Sequence, residues 1–367
     1  MSNQFAPDYI RAIAPYQAGK PVSEVAREFG IDPEKIIKLA SNENPLGMPE
    51  SAKQAVQNAL KDTGRYPDAN GFELKKVISE RYSVPQDWIT LGNGSNDIID
   101  LAGRTFVQKG QSIIFSEYSF LVYALVAKAI GAKGIQVPSV NFGHDLPAML
   151  NAITEDTRLI FIANPNNPTG NTIDRKLMEK IIERCSLKNI FLVVDESFID
   201  FMADSGKHSI KKLADGKNII VLRAFTKIYA IAGLRLGYAI CGTREISEVI
   251  KNYGQCWSVS VPAQIAGISA LENTDYIAKT IETVSAERKF LTENFDSLGF
   301  GVFHSQVNFI LIKSDLPLDK LLERREIAIR NCENYIGLGQ GYFRIAVRTR
   351  KENKVLIKAI EEIYGRS

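Results

Sequence analysis

The sequence predicts an α/β protein, with a mostly parallel central sheet covered by helices and a smaller C-terminal α+β domain. Two observations carry this prediction. From Pro49 to about Val307, helical patterns such as Glu50 to Leu60 and Asn96 to Phe106 alternate with short runs that are apolar throughout. Strands buried on both faces read that way, as in parallel sheets with helices above and below. Beyond that region the order changes to helix, strand, helix, strand, helix, as expected of a separate small domain.

The first forty residues hold two proline-marked breaks, Pro15 and Pro21, and one amphipathic stretch, Val22 to Phe29. Residues 1–40 therefore read as an arm of the kind that reaches a neighbouring subunit. Residues 41–270 form the large domain, with strands expected at Ser112 to Ser116, Leu159 to Ala163, Ile190 to Val194, Ile219 to Arg223 and Gly237 to Cys241. Residues 271–367 form the small one. There the helix-rich Asp275 to Leu298 leads to a strand at Asn308 to Lys313 and a helix at Leu318 to Glu326. A strand at Tyr342 to Val347 and a closing helix at Glu352 to Tyr364 complete it.

Composition narrows the function. The 367 residues are 45% hydrophobic and 24% charged, which supplies apolar chain for two domains and excludes disordered, collagenous and coiled-coil classes. With 45 Lys+Arg against 42 Asp+Glu and no block of like charge, nothing marks a nucleic-acid or anionic-membrane surface, so a small-molecule partner is expected. Cys185, Cys241, Cys256 and Cys332 form no C-x-x-C pair, which fits reduced thiols in the cytosol. His144, His208 and His304 lack metal-ligand spacing, and no metal is expected. Met1 to Arg11 shows no basic start followed by an apolar run. No apolar stretch approaches the roughly 18 residues of a membrane span. A cytoplasmic protein is the expectation.

The chemistry is written in four places. Arg223 to Tyr238 comes after an apolar strand and sets Lys227 in apolar surroundings, where desolvation lowers an amine's pKa and readies it to form a Schiff base with a carbonyl. A lysine whose stem merely covers the core is the plainer reading of that residue alone. Val193 to Glu196 ends an apolar strand in Asp195, at the carboxyl edge where α/β sheets bind ligands; a carboxylate there suits the protonated ring nitrogen of pyridoxal phosphate. Ala163 to Gly170 is a rigid Asn-Pro turn able to present the Asn167 amide. Leu91 to Asp97 is a Gly-rich turn opening a helix, whose free N–H groups can cradle a phosphate. Each is weak alone. Chance does not readily supply their order, with Asp195 and Lys227 separated by 32 residues.

These ordered motifs resemble the fold type I pyridoxal-phosphate enzymes of the aminotransferase class I/II superfamily, over nearly the whole chain. The resemblance implies that Lys227 binds the cofactor covalently, Asp195 pairs its ring nitrogen and Asn167 contacts its phenolic oxygen. It implies further that Arg235, Thr226 and the backbone at Gly94, Ser95 and Asn96 hold the phosphate, that Phe120 stacks on the ring, and that Tyr66 crosses a homodimer to the partner's phosphate. Residues from about Phe5 to Gly170 resemble histidinol-phosphate aminotransferases, through Ala14 to Pro21, Lys38 to Gly47 and Arg65 to Asp68. By that likeness Tyr16 and Asn42 face the substrate. From about Asp195 onward the chain resembles threonine-phosphate decarboxylases, through Asp195 to Phe201, Thr226 to Ile231, Trp257 to Val259, Ile329 to Tyr335 and Tyr342 to Thr349.

Departures matter. Phe198 stands where the aminotransferases carry a tyrosine that donates to the phenolic oxygen, Thr226 replaces a serine, and Arg348 replaces a glycine. Against decarboxylation, that family's His-Gly-Gly arm is absent. Arg330 and Arg344 are the expected anion grips, since a planar guanidinium suits phosphate or carboxylate bidentately. These features together point to an aminotransferase acting on a small phosphorylated amine, histidinol phosphate, with 2-oxoglutarate and glutamate as partners. A threonine-phosphate decarboxylase is the alternative. A ligand-sensing module is the non-enzyme reading, and the chain lacks the DNA-binding domain such modules carry.

Overall fold

The computed structural model describes residues 6–14 and 22–365. Tyr16 and the proline breaks at Pro15 and Pro21 lie outside them. The large sheet has seven strands: β1 (Ile89–Gly92), β2 (Ser112–Ser116), β3 (Lys133–Val137), β4 (Thr157–Ala163), β5 (Phe191–Asp195), β6 (Ile219–Ala224) and β7 (Gly237–Cys241). They lie in the spatial order β1-β7-β6-β5-β4-β2-β3. All neighbours pair in parallel except β7, which runs antiparallel to both β1 and β6. The five expected strands are present, each within two residues of its expected start. Strands β1 and β3 were not expected. The pattern of β3 is partly exposed and opens on Lys133 and Gly134, as befits an edge strand without a second buried face.

Alternation along each central strand sends successive side chains into two layers. Ile160, Ile162, Leu192, Val194, Ile219 and Val221 enter one apolar cluster, while Leu159, Phe161, Val193, Ile220 and Leu222 enter the other. Both faces are dry, so the runs are apolar throughout.

The small unit is a four-stranded antiparallel sheet: β8 (Gly301–Phe303), β9 (Phe309–Lys313), β10 (Arg330–Asn331) and β11 (Tyr342–Ala346), in the order β10-β11-β9-β8. The 24-residue helix Thr274–Ser297 and the helix Arg350–Ile363 accompany it. The latter starts at a capping box, with Thr349 Oγ1 and Glu352 each satisfying the other's backbone N–H. The helix expected to Glu326 ends at Glu323, because Glu326 takes a left-handed φ of 63° that turns the chain into the next strand.

The described second half of the expected arm, from Val22, and the residues that follow it are tied to both units of the same chain. Val25, Ala26 and Ile36 cluster with Ala328, and Ile37 and Lys38 pair in parallel with Ile327 and Ala328. Leu39 then bonds Ala328 and Ala346 through its backbone, and the Asn44 amide donates to the Ile228 carbonyl at 2.7 Å. Residues 38–44 thus bridge the small sheet and the loop after β6.

Candidate active site

The carboxyl ends of β4, β5 and β6, the turn after β1 and the 40–43 segment meet around a cavity of about 280 Å³. Asp195, the last residue of β5, is one wall. Its carboxylate is buried; Oδ1 accepts the Ser197 N–H at 2.9 Å and Oδ2 accepts the Tyr123 hydroxyl at 3.1 Å. Burial raises its pKa, opposed by those hydrogen bonds and by the positive charge of Lys227.

Lys227 comes after β6 and faces the same space. Desolvation lowers its pKa to about 8, the positive charges of Arg344 and Arg235 act the same way, and Glu43 and Asp195 oppose them. Its Nζ lies 5.1 Å from the centre of the Phe198 ring and makes no hydrogen bond among the described residues. Its amine faces the cavity.

The Gly-rich turn opens a helix directly against a guanidinium. Gly94 caps the twelve-residue helix Ser95–Phe106 at φ +87°, a backbone state that side chains rarely adopt. A Cβ there would lie 2.5 Å from Arg235 Nη2, and a Cβ on Gly237 would lie 2.5 Å from the Ser95 nitrogen. Both glycines thus allow the Arg235 guanidinium and β7 to close on the helix N-terminus, where unpaired N–H groups and the helix dipole favour negative charge. Thr226, Ser95 and Asn96 line the cavity with Arg235.

Asn167 lines the opening between the two units. Its Oδ1 accepts from Arg344 Nη1, and Arg344 Nη2 donates to the Ala40 carbonyl at 2.9 Å. The turn that carries it is pinned by Asn166 Nδ2, which donates to the Tyr118 carbonyl at 2.8 Å, and by the Asn164 N–H, which donates to the Asp195 carbonyl at 2.9 Å. Phe120 and Phe198 also face the cavity; Phe120 meets Tyr123 edge-on, and Phe198 meets Phe309 the same way. Asn42, at φ +53°, is buried with its Oδ1 unpartnered among the described residues.

Of the residues singled out from sequence, Asp195, Lys227, Asn167, Ser95, Asn96, Thr226, Arg235, Phe120, Asn42 and Arg344 converge on this cavity, with Gly94 directly behind Arg235. Two do not line it. Tyr66 is 77% exposed and stacks on Trp257 with ring centres 4.4 Å apart. Arg330 lies across the β10–β11 ladder from Arg344, and its Nη2 donates to Asn334. Sequence reasoning missed Tyr123, Ser197 and Glu43. Tyr123 carried no distinguishing signal, because its ring stacks on Phe161 within the apolar layer as a core aromatic would. Also missed was a buried charge network beside the site, in which Arg223 pairs with Glu196 at 2.8 Å and Asp200 at 2.7 Å.

Fold and site together define a doubly wound α/β protein whose cavity gathers an amine, a buried carboxylate and two guanidinium groups. The chain belongs to the aminotransferase class I and II family, whose model matches residues 34–360. As a member it is a pyridoxal-phosphate-dependent aminotransferase. It is 44% identical to histidinol-phosphate aminotransferase 1 of Cupriavidus pinatubonensis, across 97% of this chain and 96% of that protein. Both halves therefore align with one relative. Among solved structures, the histidinol-phosphate aminotransferase of Clostridium acetobutylicum superposes with a TM-score of 0.84 at 30% identity, covering 90% of this chain and all of that one. The L-threonine-O-3-phosphate decarboxylase of Porphyromonas gingivalis superposes at 0.79 and 22% identity, over 90% of this chain and all of that one, which is a likeness of fold.

Proposed function

We propose that the chain transfers an amino group between histidinol phosphate and 2-oxoglutarate or glutamate. The observation that carries this reading is the placement of Lys227 in one cavity with a buried carboxylate, a helix-N-terminal anion cradle and the Arg344 guanidinium. The near full-length identity to a histidinol-phosphate aminotransferase supports the substrate. The assembly is read as a cytoplasmic homodimer, in which Tyr66, exposed on its own chain, completes the cradle of a second copy. Among the described residues no helix is long and apolar enough to cross a membrane.

The residues fit the cofactor. Gly94 leaves room for the Arg235 guanidinium beside the free N–H groups, and a dianionic phosphate matches those donors. Arg235, Thr226 and the backbone of Gly94, Ser95 and Asn96 would hold it. Asp195 would take the ring N–H, an ion pair that offsets the burial of its carboxylate. Because Arg344 already occupies Asn167 Oδ1, the Nδ2 end of that amide is the one left to donate to the phenolic oxygen. Phe120 would stack on the ring. When bound, the cofactor supplies an electron sink for the pair released from the substrate Cα. Lys227, whose amine pKa is lowered to about 8, would hold the cofactor carbonyl and would be the base that carries the Cα proton. Arg344 grips the substrate anion, with Arg330 adding positive charge from the neighbouring strand, and Asn42 and Tyr16 are assigned to the substrate side.

A single-turnover incubation of the cofactor-loaded protein with L-histidinol phosphate and L-threonine phosphate, without oxo acid, tests this. Pyridoxamine phosphate and a ketone derived from histidinol phosphate are expected by mass spectrometry. An aminopropanol phosphate with the cofactor still as pyridoxal would replace the reading by decarboxylation.

Phe198 leaves the cofactor's phenolic oxygen one donor short. Restoring it by Phe198→Tyr is expected to lower the pH at which the visible absorbance of the bound cofactor changes, since a hydroxyl donated to a phenolate favours the deprotonated state. An unchanged spectroscopic titration would remove this account of Phe198.

A further inference from the structure

Among the described residues two carboxylates line the cavity, and the cofactor engages only one of them in the proposed chemistry. Asp195 is buried and satisfied by Ser197 and Tyr123. Glu43 comes from the bridging segment, lines the same cavity and contributes to the field at Lys227. Its close partner is Lys38, whose Nζ stands 2.7 Å from Glu43 Oε1. The pair is half open to solvent, with side-chain exposures of 27% for Lys38 and 39% for Glu43. Exposed pairs of this kind hold together weakly and exchange partners readily. Lys38 stands outside the lining and reaches it through Glu43; among the described residues the other charged groups of the lining besides Asp195 are cations, Lys227, Arg235 and Arg344.

Under the proposed function, on which this inference rests, one site must recognise two unlike substrates. One carries an imidazole at the end remote from its anion, while the other carries a second carboxylate there. A fixed cation or a fixed anion would suit one and repel the other. We infer that the Lys38–Glu43 pair is the specificity element that resolves this conflict. With histidinol phosphate bound, Glu43 accepts an imidazole N–H, which remains a donor whether or not the ring is protonated. With glutamate or 2-oxoglutarate bound, Glu43 yields Lys38, and the ammonium meets the distal carboxylate. The bridging backbone that carries both residues is pinned at Leu39, Asn42 and Asn44, so the exchange requires rotation of two side chains rather than movement of a loop.

The test measures both half-reactions separately in the cofactor-loaded wild type, Glu43→Gln and Lys38→Met, with absorbance of the bound cofactor confirming an intact site in each. Glu43→Gln is expected to raise the KM for histidinol phosphate about tenfold, as loss of one charge-assisted hydrogen bond does, and to leave the KM for glutamate unchanged or lower. Lys38→Met should show the opposite selectivity, and Glu43→Asp should restore part of the histidinol-phosphate affinity. Equal losses in both half-reactions, or losses confined to kcat, would overturn the inference. A wild-type chain that does not convert histidinol phosphate would strike the functional reading as well; an active wild type with unselective variants strikes this inference alone.

Discussion

Lys227→Ala is expected to lower turnover by at least about 10³-fold and to abolish covalent retention of the cofactor, because the variant removes both the amine that binds the carbonyl and the base that moves the Cα proton. The fold should survive. Lys227 makes no hydrogen bond among the described residues, so removing it orphans no buried partner and takes a desolvated charge out of the cavity. In the wild type, cofactor capture should track the unprotonated amine and therefore rise with pH through about 8. Kinetics, borohydride trapping and a melting curve on the same preparation separate these effects. A variant that keeps more than about a hundredth of wild-type turnover would refute the assignment of Lys227, since a positioned proton carrier alone contributes roughly 10²-fold or more.

Arg223→Leu is expected to cost about 3–5 kcal/mol of folding stability, the range for removing one partner of a buried ion pair. Arg223 is buried in β6 and bridges Glu196, the residue after Asp195, to Asp200. Glu196 is fully buried; its carboxylate also accepts from Ser209 Oγ at 2.8 Å and from the Ile210 N–H at 2.7 Å, both neutral donors. Without the guanidinium, those neutral donors and the charge of the half-buried Lys211 are what is left to balance it. Burial already raises the Glu196 pKa, with Arg223 pulling it back, so the variant raises it further. A carboxyl whose folded pKa lies above its unfolded value destabilises the fold when ionised, so the deficit of Arg223→Leu is largest near neutral pH and shrinks as pH falls. Equilibrium denaturation at two pH values measures it, and a neutral-pH loss below about 1 kcal/mol would contradict the buried-pair argument. Adding Glu196→Leu should recover part of the loss, because the orphaned charge rather than the missing attraction dominates.

Arg223 also shows how far the sequence could be read. It stood in the same motif as Lys227, yet its partners lie 27 and 23 residues earlier, at Glu196 and Asp200, and only the pairing of β5 with β6 brings them together. Glu43 was legible as part of a motif and not as a site residue, since its place depends on how residues 38–44 cross from the small sheet to the loop after β6. Arg330 and Arg344 looked alike as strand-borne arginines. Register separates them: they face each other across β10 and β11, but Arg344 alone reaches Asn167 and the cavity.

What the sequence determined by itself was whatever is local or periodic. Strands dry on both faces must be apolar throughout, a glycine-opened helix must expose N–H groups, and a strand that ends in Asp195 must present it at the carboxyl edge; these constraints leave their mark in consecutive residues. The α/β class, Lys227, Asp195, Asn167 and the turn at residues 91–97 were legible for that reason, whereas Arg235, Thr226, Phe120 and Asn42 were reached through the family resemblance. What only the tertiary structure decided were matters of relative position. These include the reversal of β7, the crossing of residues 38–44 from the small sheet to the loop after β6, the hold of Tyr123 and Ser197 on Asp195, and the burial that, with the nearby arginine charges, lowers the Lys227 pKa. The physical reason is that a pair energy depends on distance and burial, and neither quantity is carried by the spacing of residues along the chain.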